Sequence, residues 1–258
     1  METLQFKPLL LTLVLTASMA ACSAGNSTPA IPASSSSALA RPQTMLRLAS
    51  ASSAFVDLRN ASTYAIIAGS TVTNTGPTSI TGDVAIFPGT AITGFLPGVI
   101  HGDLHAADPT AQQAKLDLGT AYRDAMGRVG SPVLVAGNLG GQTLAPGLYK
   151  STSSLEVSSG DLTLDGGGDA NAVYVFQMAS TFNMTTGRRV ILTNGARAAN
   201  IFWAVGSSAT LGTGCSFYGN LLVYASISMA TGTVMEGRAL TQVGAVTMQS
   251  NTIVLPAP

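Results

Sequence analysis

The sequence predicts a mainly β protein, a β-solenoid with one long α-helix packed along one of its faces. Short strand motifs return at intervals of 18 to 20 residues, and a unit of that size cannot bury an apolar face alone. One continuous stretch with helical periodicity interrupts these motifs. The repeats therefore predict stacked coils, and the interruption predicts the helix.

Two strand motifs make up the repeat. One is a glycine followed by a polar and then an apolar residue, and the other is an alternating strand that runs into a Thr-Gly turn. Asn251 replaces the glycine in the last copy, which fits a left-handed turn position. The first motif lies at residues 82–84, 102–104, 137–139, 219–221 and 237–239; the second lies at 182–187, 209–214, 227–232 and 246–251.

Alternation along these strands assigns side chains to the inside or the outside of the coils. Because neighbouring coils lie about 4.7–4.9 Å apart, outward hydroxyls would form a regular ladder. A β-sandwich with coincidental repeats is the alternative fold. The predicted inward side chains are Leu211, Met229, Met248, Phe217 and Met235, and the predicted outward hydroxyls are Thr210, Ser228 and Thr247.

The helix is predicted over residues 108–128. Asp108 supplies an N-cap and Pro109 suits the first helical position. Leu222 and Leu240 face outward on their coils, so they offer the apolar face of the helix a partner. That face consists of Ala111, Ala114, Leu118, Ala121, Tyr122 and Ala125.

Composition excludes several classes of function. Only 9% of the residues are charged, and 12 basic residues balance 12 acidic ones. Nucleic acid is excluded as a partner because no basic excess is present to bind phosphate. The 46% hydrophobic content also argues against intrinsic disorder.

The N-terminal residues predict export. Residues 1–21 resemble a signal peptide with a short apolar core, and residues 22–52 form a Ser/Ala/Pro-rich tether to a solenoid domain at 53–258. Met19-Ala20-Ala21-Cys22 resembles a bacterial lipobox, which predicts lipidation of Cys22 and membrane attachment. Ordinary cleavage near Ala21, with release of the protein, is the alternative.

The stretches that carry the repeat resemble the microbial ice-binding (antifreeze) proteins. IHGDLHAAD at 100–108 and LGGQTLAPGLYK at 139–150 are examples, and the likeness runs in order from about residue 55 to 254. The resemblance implies a discontinuous right-handed β-solenoid with one long flanking helix. It also implies adsorption to ice, thermal hysteresis and inhibited ice recrystallisation. The other matching stretches are 55–58, 64–69, 75–84, 162–165, 171–177, 202–214, 237–240 and 244–253.

Two sets of residues compete as the ice-binding surface. Some family members carry a Thr-Ala/Gly-x-Thr/Asn pattern, which this sequence matches fully at residues 75–78 and nearly at 213–216. The outward strand ladder is the second set. Tyr218 and Glu236 are expected to interrupt the adjoining strand face. The candidates are Thr75, Thr78, Thr186, Thr213, Ser216, Thr231 and Thr233 from the pattern, and Thr210, Ser228 and Thr247 from the ladder.

Other sites are set aside. His101, Asp103 and His105 alternate as metal ligands could, but they fall in the stretch that leads into the helix, so no metal or cofactor is expected. Asp161, Asp165 and Asp169 fit a loop better than a calcium site, and Cys215 fits a buried core position.

No catalytic residues are predicted, because no carboxylate pair lies on the outward ladder as a solenoid enzyme acting on polysaccharide would need. A non-catalytic adhesin or glycan-binding surface protein is the alternative function, with Tyr218 and Tyr224 as its candidate aromatic contacts. We expect a monomer whose partner is an ice crystal surface.

Overall fold

The computed structural model describes residues 54–257. The predicted signal peptide, Cys22 and the tether lie outside these residues. Parallel strands stack into coils with three faces, and one long helix covers one of them, which confirms the predicted fold class. Among the described residues, no helix has the length and apolar character needed to cross a bilayer.

The first face is covered by the helix α1 (Pro109–Gly127) and is called the helix face. A short 3-10 helix (Arg59–Thr63) lies beside α1, and another (Ala198–Asn200) precedes a strand of this face. The strands are β1 (Tyr64–Ala68), β4 (Asp83–Ile86), β7 (Leu104–Ala106), β8 (Val133–Leu134), β11 (Gly147–Ser151), β14 (Tyr174–Met178), β17 (Ile201–Val205) and the second halves of β19 (Ser216–Val223) and β21 (Val234–Thr241).

The second face is an eight-stranded parallel sheet, called the hydroxyl face after the side chains described below. Its strands are β2 (Thr71–Thr75), β5 (Ala91–Thr93), β9 (Gly137–Asn138), β12 (Leu155–Val157), β15 (Phe182–Met184), β18 (Ala209–Leu211), β20 (Ile227–Met229) and β22 (Val246–Gln249).

The third face combines separate strands with the first halves of β19 and β21. Its other strands are β3 (Ser79–Thr81), β6 (Val99–His101), β10 (Thr143–Leu144), β13 (Leu162–Asp165), β16 (Val190–Thr193) and β23 (Thr252–Val254).

The stacking order departs from the chain order. In the hydroxyl face the strands run β5-β2-β22-β20-β18-β15-β12-β9, so the N-terminal coils stack on the C-terminal coil. On the helix face, β1 pairs with both β21 and β4. The last coil consists of β22 on the hydroxyl face and β23 on the third face, and in the described part of the chain it has no strand on the helix face. β1 fills that place in the stack. We call the end formed by β5, β6 and β7 the near end, and the end formed by β8, β9 and β10 the far end.

The interior is filled by inward side chains from all three faces. Leu211, Met229 and Met248 are buried in register, as predicted, together with Phe217 and Met235. Toward the far end the core contains stacked aromatic rings. Phe176 and Trp203 have centroids 4.0 Å apart, and Phe176 and Tyr149 have centroids 5.1 Å apart. Close stacking of this kind makes the coil cross-section rigid.

The helix begins and packs as predicted. The Asp108 carboxylate accepts a hydrogen bond from the Ala111 N–H at 2.7 Å. This bond stabilises the ionised carboxylate and is the main reason that the pKa of Asp108 is lowered. At the other end Gln177, which is buried, donates to the backbone oxygens of Ala125, Met126 and Arg128. The predicted partners Leu222 and Leu240 are buried against the helix. The helix face is thereby closed to any large ligand.

Candidate functional site

A ladder of hydroxyl side chains runs along the hydroxyl face. Five consecutive strands place a threonine or serine at the same register position, with the side chain outward. The predicted hydroxyls Thr210, Ser228 and Thr247 are three of them, in the predicted mutual register. In stacking order the ladder is Thr93, Thr73, Thr247, Ser228 and Thr210.

The hydroxyls of the ladder are free to bind water. Within residues 54–257, none of the five side chains has a hydrogen bond to the protein. Each hydroxyl offers one donor and two lone pairs. Adjacent strands lie about 4.7–4.9 Å apart, so the ladder presents water-binding groups at a constant interval.

The neighbouring column on the same sheet differs, because its hydroxyls are used within the protein. The Ser154 and Thr181 hydroxyl oxygens lie 2.8 Å apart. Ser226 Oγ accepts from the Ala245 N–H at 3.2 Å, and Ser208 Oγ accepts from the Ser226 N–H at 3.3 Å. These bonds tie successive coils together, which holds the ladder beside them in a fixed position.

The Thr-Gly turns form a second column at the border between the hydroxyl face and the third face. Backbone hydrogen bonds of 2.8–3.2 Å join successive turns. Thr73 and Thr75 are two residues apart on β2, so both side chains point outward. The ladder, which contains Thr73, therefore adjoins the turn column, which contains Thr75. The two sets that competed in the sequence are therefore parts of one surface. The exposed residues of the turn column are Thr186, Thr213, Thr231, Gln249 and Thr75.

Three residues of the predicted pattern do not lie on this surface. Thr78 and Thr233 are buried, and their hydroxyls bond to Asn74 Oδ1 and to the Gly212 and Ala230 carbonyl oxygens. Ser216 lies in register with Val234 on the third face. The three hydroxyls therefore lie apart from the exposed hydroxyls of this surface, because the chain turns the corner of the coil after the first residues of the pattern.

Sequence reasoning missed two members of the ladder, Thr73 and Thr93. Both come from N-terminal coils that stack outside the C-terminal coil, so no local spacing relates them to Thr247. A usable signal was present, because β2 runs into Thr75-Gly76 and β5 runs into Thr93-Gly94.

Toward the far end the same sheet changes character. The register continues from Thr210 to Asn183, Glu156 and Asn138, which carry amides and a carboxylate in place of hydroxyls. Glu156 accepts a hydrogen bond from the Ser158 hydroxyl at 2.8 Å. Here the surface sinks into a shallow depression of about 550 Å³ lined by Glu156, Asn183 and Thr210 among others. The regular ladder thus ends at Thr210.

The third face is irregular. Tyr218 and Glu236 are register partners on it, and both are half-buried, as expected for side chains that interrupt a flat face. The same outward column continues to Val254, Thr81 and His101. The size and charge of the side chain change from strand to strand. Within residues 54–257, only the hydroxyl face therefore combines exposure with regular spacing.

Most of the remaining polar candidates have local structural partners. His105 Nδ1 lies 2.8 Å from Asp108 Oδ2 beside the helix cap, and Asp103 donates its N–H to Asp83. Asp161 pairs with Arg189 at 3.2 Å, and Asp165 accepts from Gly167 N–H and Asn194. Cys215 is buried as predicted; burial raises the pKa of its thiol, which donates to the Thr185 oxygen.

Comparisons with known proteins identify the family of this chain. The Ice-binding-like family model matches residues 66–254. An ice-binding protein of Nostoc sp. (strain HG1) is 44% identical over 197 residues, covering 76% of this chain and 72% of that protein. An ice-binding protein of Flavobacterium frigoris (strain PS1) is 35% identical over 215 residues, covering 78% and 76%.

Two solved structures support the same family. The crystal structure of an ice-binding protein from an Antarctic biological consortium matches with a TM-score of 0.79 at 55% identity, and the match covers 80% of this chain and 93% of that one. That of an ice-binding protein from Antarctomyces psychrotrophicus matches with a TM-score of 0.75 at 42% identity, covering 80% and 100%. This chain belongs to the ice-binding-like family.

Proposed function

We propose that this protein binds ice through its hydroxyl face, and that it thereby depresses freezing and inhibits ice recrystallisation. The observation that carries the proposal is the ladder of five in-register hydroxyls without protein partners. Hydroxyl and methyl groups at a constant interval hold surface water in a regular arrangement. A rigid sheet loses little conformational entropy on attachment.

The scarcity of charge on this surface supports the same function. A charged side chain in the contact would have to lose its hydration, which is costly. The carboxylate of Glu156 lies beyond Thr210, outside the regular ladder. Five coils of the sheet therefore offer an uncharged contact area to an ice crystal.

A non-catalytic role without a cofactor is part of the proposal. The alternative of a glycan-binding adhesin is not favoured, because the relatives and structures described above are named as ice-binding proteins. We further propose that the protein is exported as a monomer. Lipidation at Cys22 would hold it at the cell surface, and cleavage nearby would release it.

The test is thermal hysteresis together with ice recrystallisation inhibition by the purified protein. Ser228→Tyr places a bulky ring in the centre of the ladder, and Thr252→Tyr is its matched control on the third face. We expect activity in the wild type and the control and its loss in Ser228→Tyr. A folded wild type that neither shifts freezing nor slows recrystallisation would refute the function, and glycan binding would then be examined.

A further inference from the structure

We infer that the chain enters its folded part at the edge opposite the hydroxyl face, so that attachment through the chain upstream of residue 54 leaves this face free to capture ice. The inference rests on the proposed function. It adds a role in holding an attached body onto ice to the role of a free antifreeze.

Each coil has three edges, and β21 shows where one of them lies, because this strand runs from the third face to the helix face. In one coil the hydroxyl face holds β20, the third face holds the first half of β21 and the helix face holds its second half. Glu236 of β21 pairs with β23 on the third face and Ala239 pairs with β1 on the helix face, so the chain turns this edge at Gly237 and Arg238, beside Gly219 of the previous coil. A Cβ at Gly237 would meet the Gly219 oxygen at 1.9 Å, so only glycine allows the two coils to approach there. In a three-sided prism this is the edge that the hydroxyl face does not touch.

The entry segment lies along this edge. The ring of Phe55 packs edge-to-face on Phe202 with centroids 5.3 Å apart, and Phe202 is the register partner of Asn220. Arg238, which follows Gly237, donates to the Ser62 oxygen at 2.6 and 2.9 Å and to Asn220 Oδ1 at 2.7 Å. Residues 55–62 are thereby fixed beside the bend.

The helix separates the entry segment from the hydroxyl face. Lys115 donates to the oxygens of Thr241 and Gln242 at 2.5 and 2.6 Å, at the corner where the helix face meets the hydroxyl face. On its other side α1 packs against the 3-10 helix that follows the entry segment. Going round the coil, the order is hydroxyl face, helix, entry segment and third face.

The entry point is also held firmly. The guanidinium of Arg128, just beyond the C-terminal end of α1, donates to the backbone oxygens of Ala54 and Phe55. A pull on the chain from upstream therefore acts on residue 54 at this edge. A body attached at residue 54 therefore lies at the entry edge and does not cover the hydroxyl face.

The test immobilises the full chain in two orientations. Both variants carry Cys22→Ser, and the remaining natural cysteine, Cys215, is buried. Labelling is thereby directed to the introduced cysteine. Ala54→Cys attaches the protein at the entry edge, and Val243→Cys attaches it at the corner beside the hydroxyl face, where Val243 is 54% exposed. Each variant is biotinylated through a short linker, bound to fluorescent streptavidin beads and exposed to a growing ice crystal. Thermal hysteresis is measured on both proteins before coupling.

We expect equal thermal hysteresis for the two free proteins, and on the order of tenfold more beads held on ice with Ala54→Cys, since attachment fails where geometry forbids engagement of the surface. Equal capture by the two bead preparations would overturn the inference while leaving ice binding intact. Absence of hysteresis in both free proteins would overturn the proposed function and this inference with it. Ser70→Cys, exposed at the same corner, replaces Val243→Cys if that variant does not fold.

Discussion

Thr73 and Thr247 are neighbours in the hydroxyl ladder, with their Cα atoms paired in parallel register, although they come from the first and the last coils of the chain. This pair joins the two N-terminal hydroxyls to the three C-terminal ones. The ladder is one continuous surface only because the N-terminal coils stack on the C-terminal coil.

The first prediction concerns this junction. Thr73→Tyr and Thr247→Tyr should each remove most of the thermal hysteresis, because one bulky ring lifts the surface away from a flat crystal. The double variant should lose little more than either single one, because both rings obstruct the same contact and neighbouring sites are not additive. Thermal hysteresis of the three variants checks this. Independent, additive losses would mean that the two residues serve separate contacts.

A second pair of variants separates the surface from the buried turn. Thr231 is exposed in the turn column, whereas Thr233 is buried with its hydroxyl on two carbonyl oxygens. Thr233→Val removes the hydroxyl proton that these two oxygens share, while each oxygen keeps another donor. We expect a loss of about 0.5–1.5 kcal/mol, a shift of roughly 1–6 °C in Tm, without a change in the hysteresis per folded molecule. Thr231→Tyr should show the reverse, with Tm retained and hysteresis reduced. Unfolding scans and hysteresis on the same samples decide between these results.

A third prediction is a gain of activity. Asn183 and Glu156 occupy the ladder positions that follow Thr210. Replacing both by Thr continues the hydroxyl ladder by two coils and removes one charge, so we expect higher thermal hysteresis at equal concentration. Glu236→Thr removes a charge from the third face and is the matched control. Unchanged thermal hysteresis in the double variant would contradict this prediction. It would mean that the depression beside Glu156, and not the side chains at these two positions, ends the ice contact.

The fourth prediction concerns stability at alkaline pH. Burial lowers the pKa of Lys115 from 10.5 to about 8. Between these values the unfolded chain keeps a proton that the folded protein has released, so stability rises with pH across this window and is level below it. Relative to Lys115→Met, the wild type should gain roughly 1–3 kcal/mol between pH 8 and 10. Denaturant unfolding at each pH measures the difference. Lys150→Met, which removes an exposed lysine, is the control variant.

Much of the fold was predictable because its signals are local. Alternation within β18, β20 and β22 gave the inward and outward sets, and Asp108-Pro109 gave the start of the helix. The position of β1 between β21 and β4 was not predictable from the residues alone. Parallel strands far apart in sequence share no turn, so no spacing records that they meet.

The candidate site was predictable to a similar extent. Thr210, Ser228 and Thr247 followed from strand alternation and are confirmed as outward and in register. Thr78 and Thr233 could not be judged from their pattern, since the same Thr-Gly sequence carries the chain round a corner into the core. Exposure at a corner depends on where the next coil lies, which is a tertiary property.

The place of β1 has a consequence for how the molecule comes into being. During synthesis β1 and β2 emerge early, yet their partners β21 and β22 lie close to the other end of the chain. Contacts of such long sequence separation form late and slowly, because the intervening chain must first be ordered. The pairing of β1 with β21 and of β2 with β22 therefore forms only after the strands between them have been synthesised. The continuous hydroxyl ladder is completed late in folding. A chain interrupted before β22 would lack the join between its two parts.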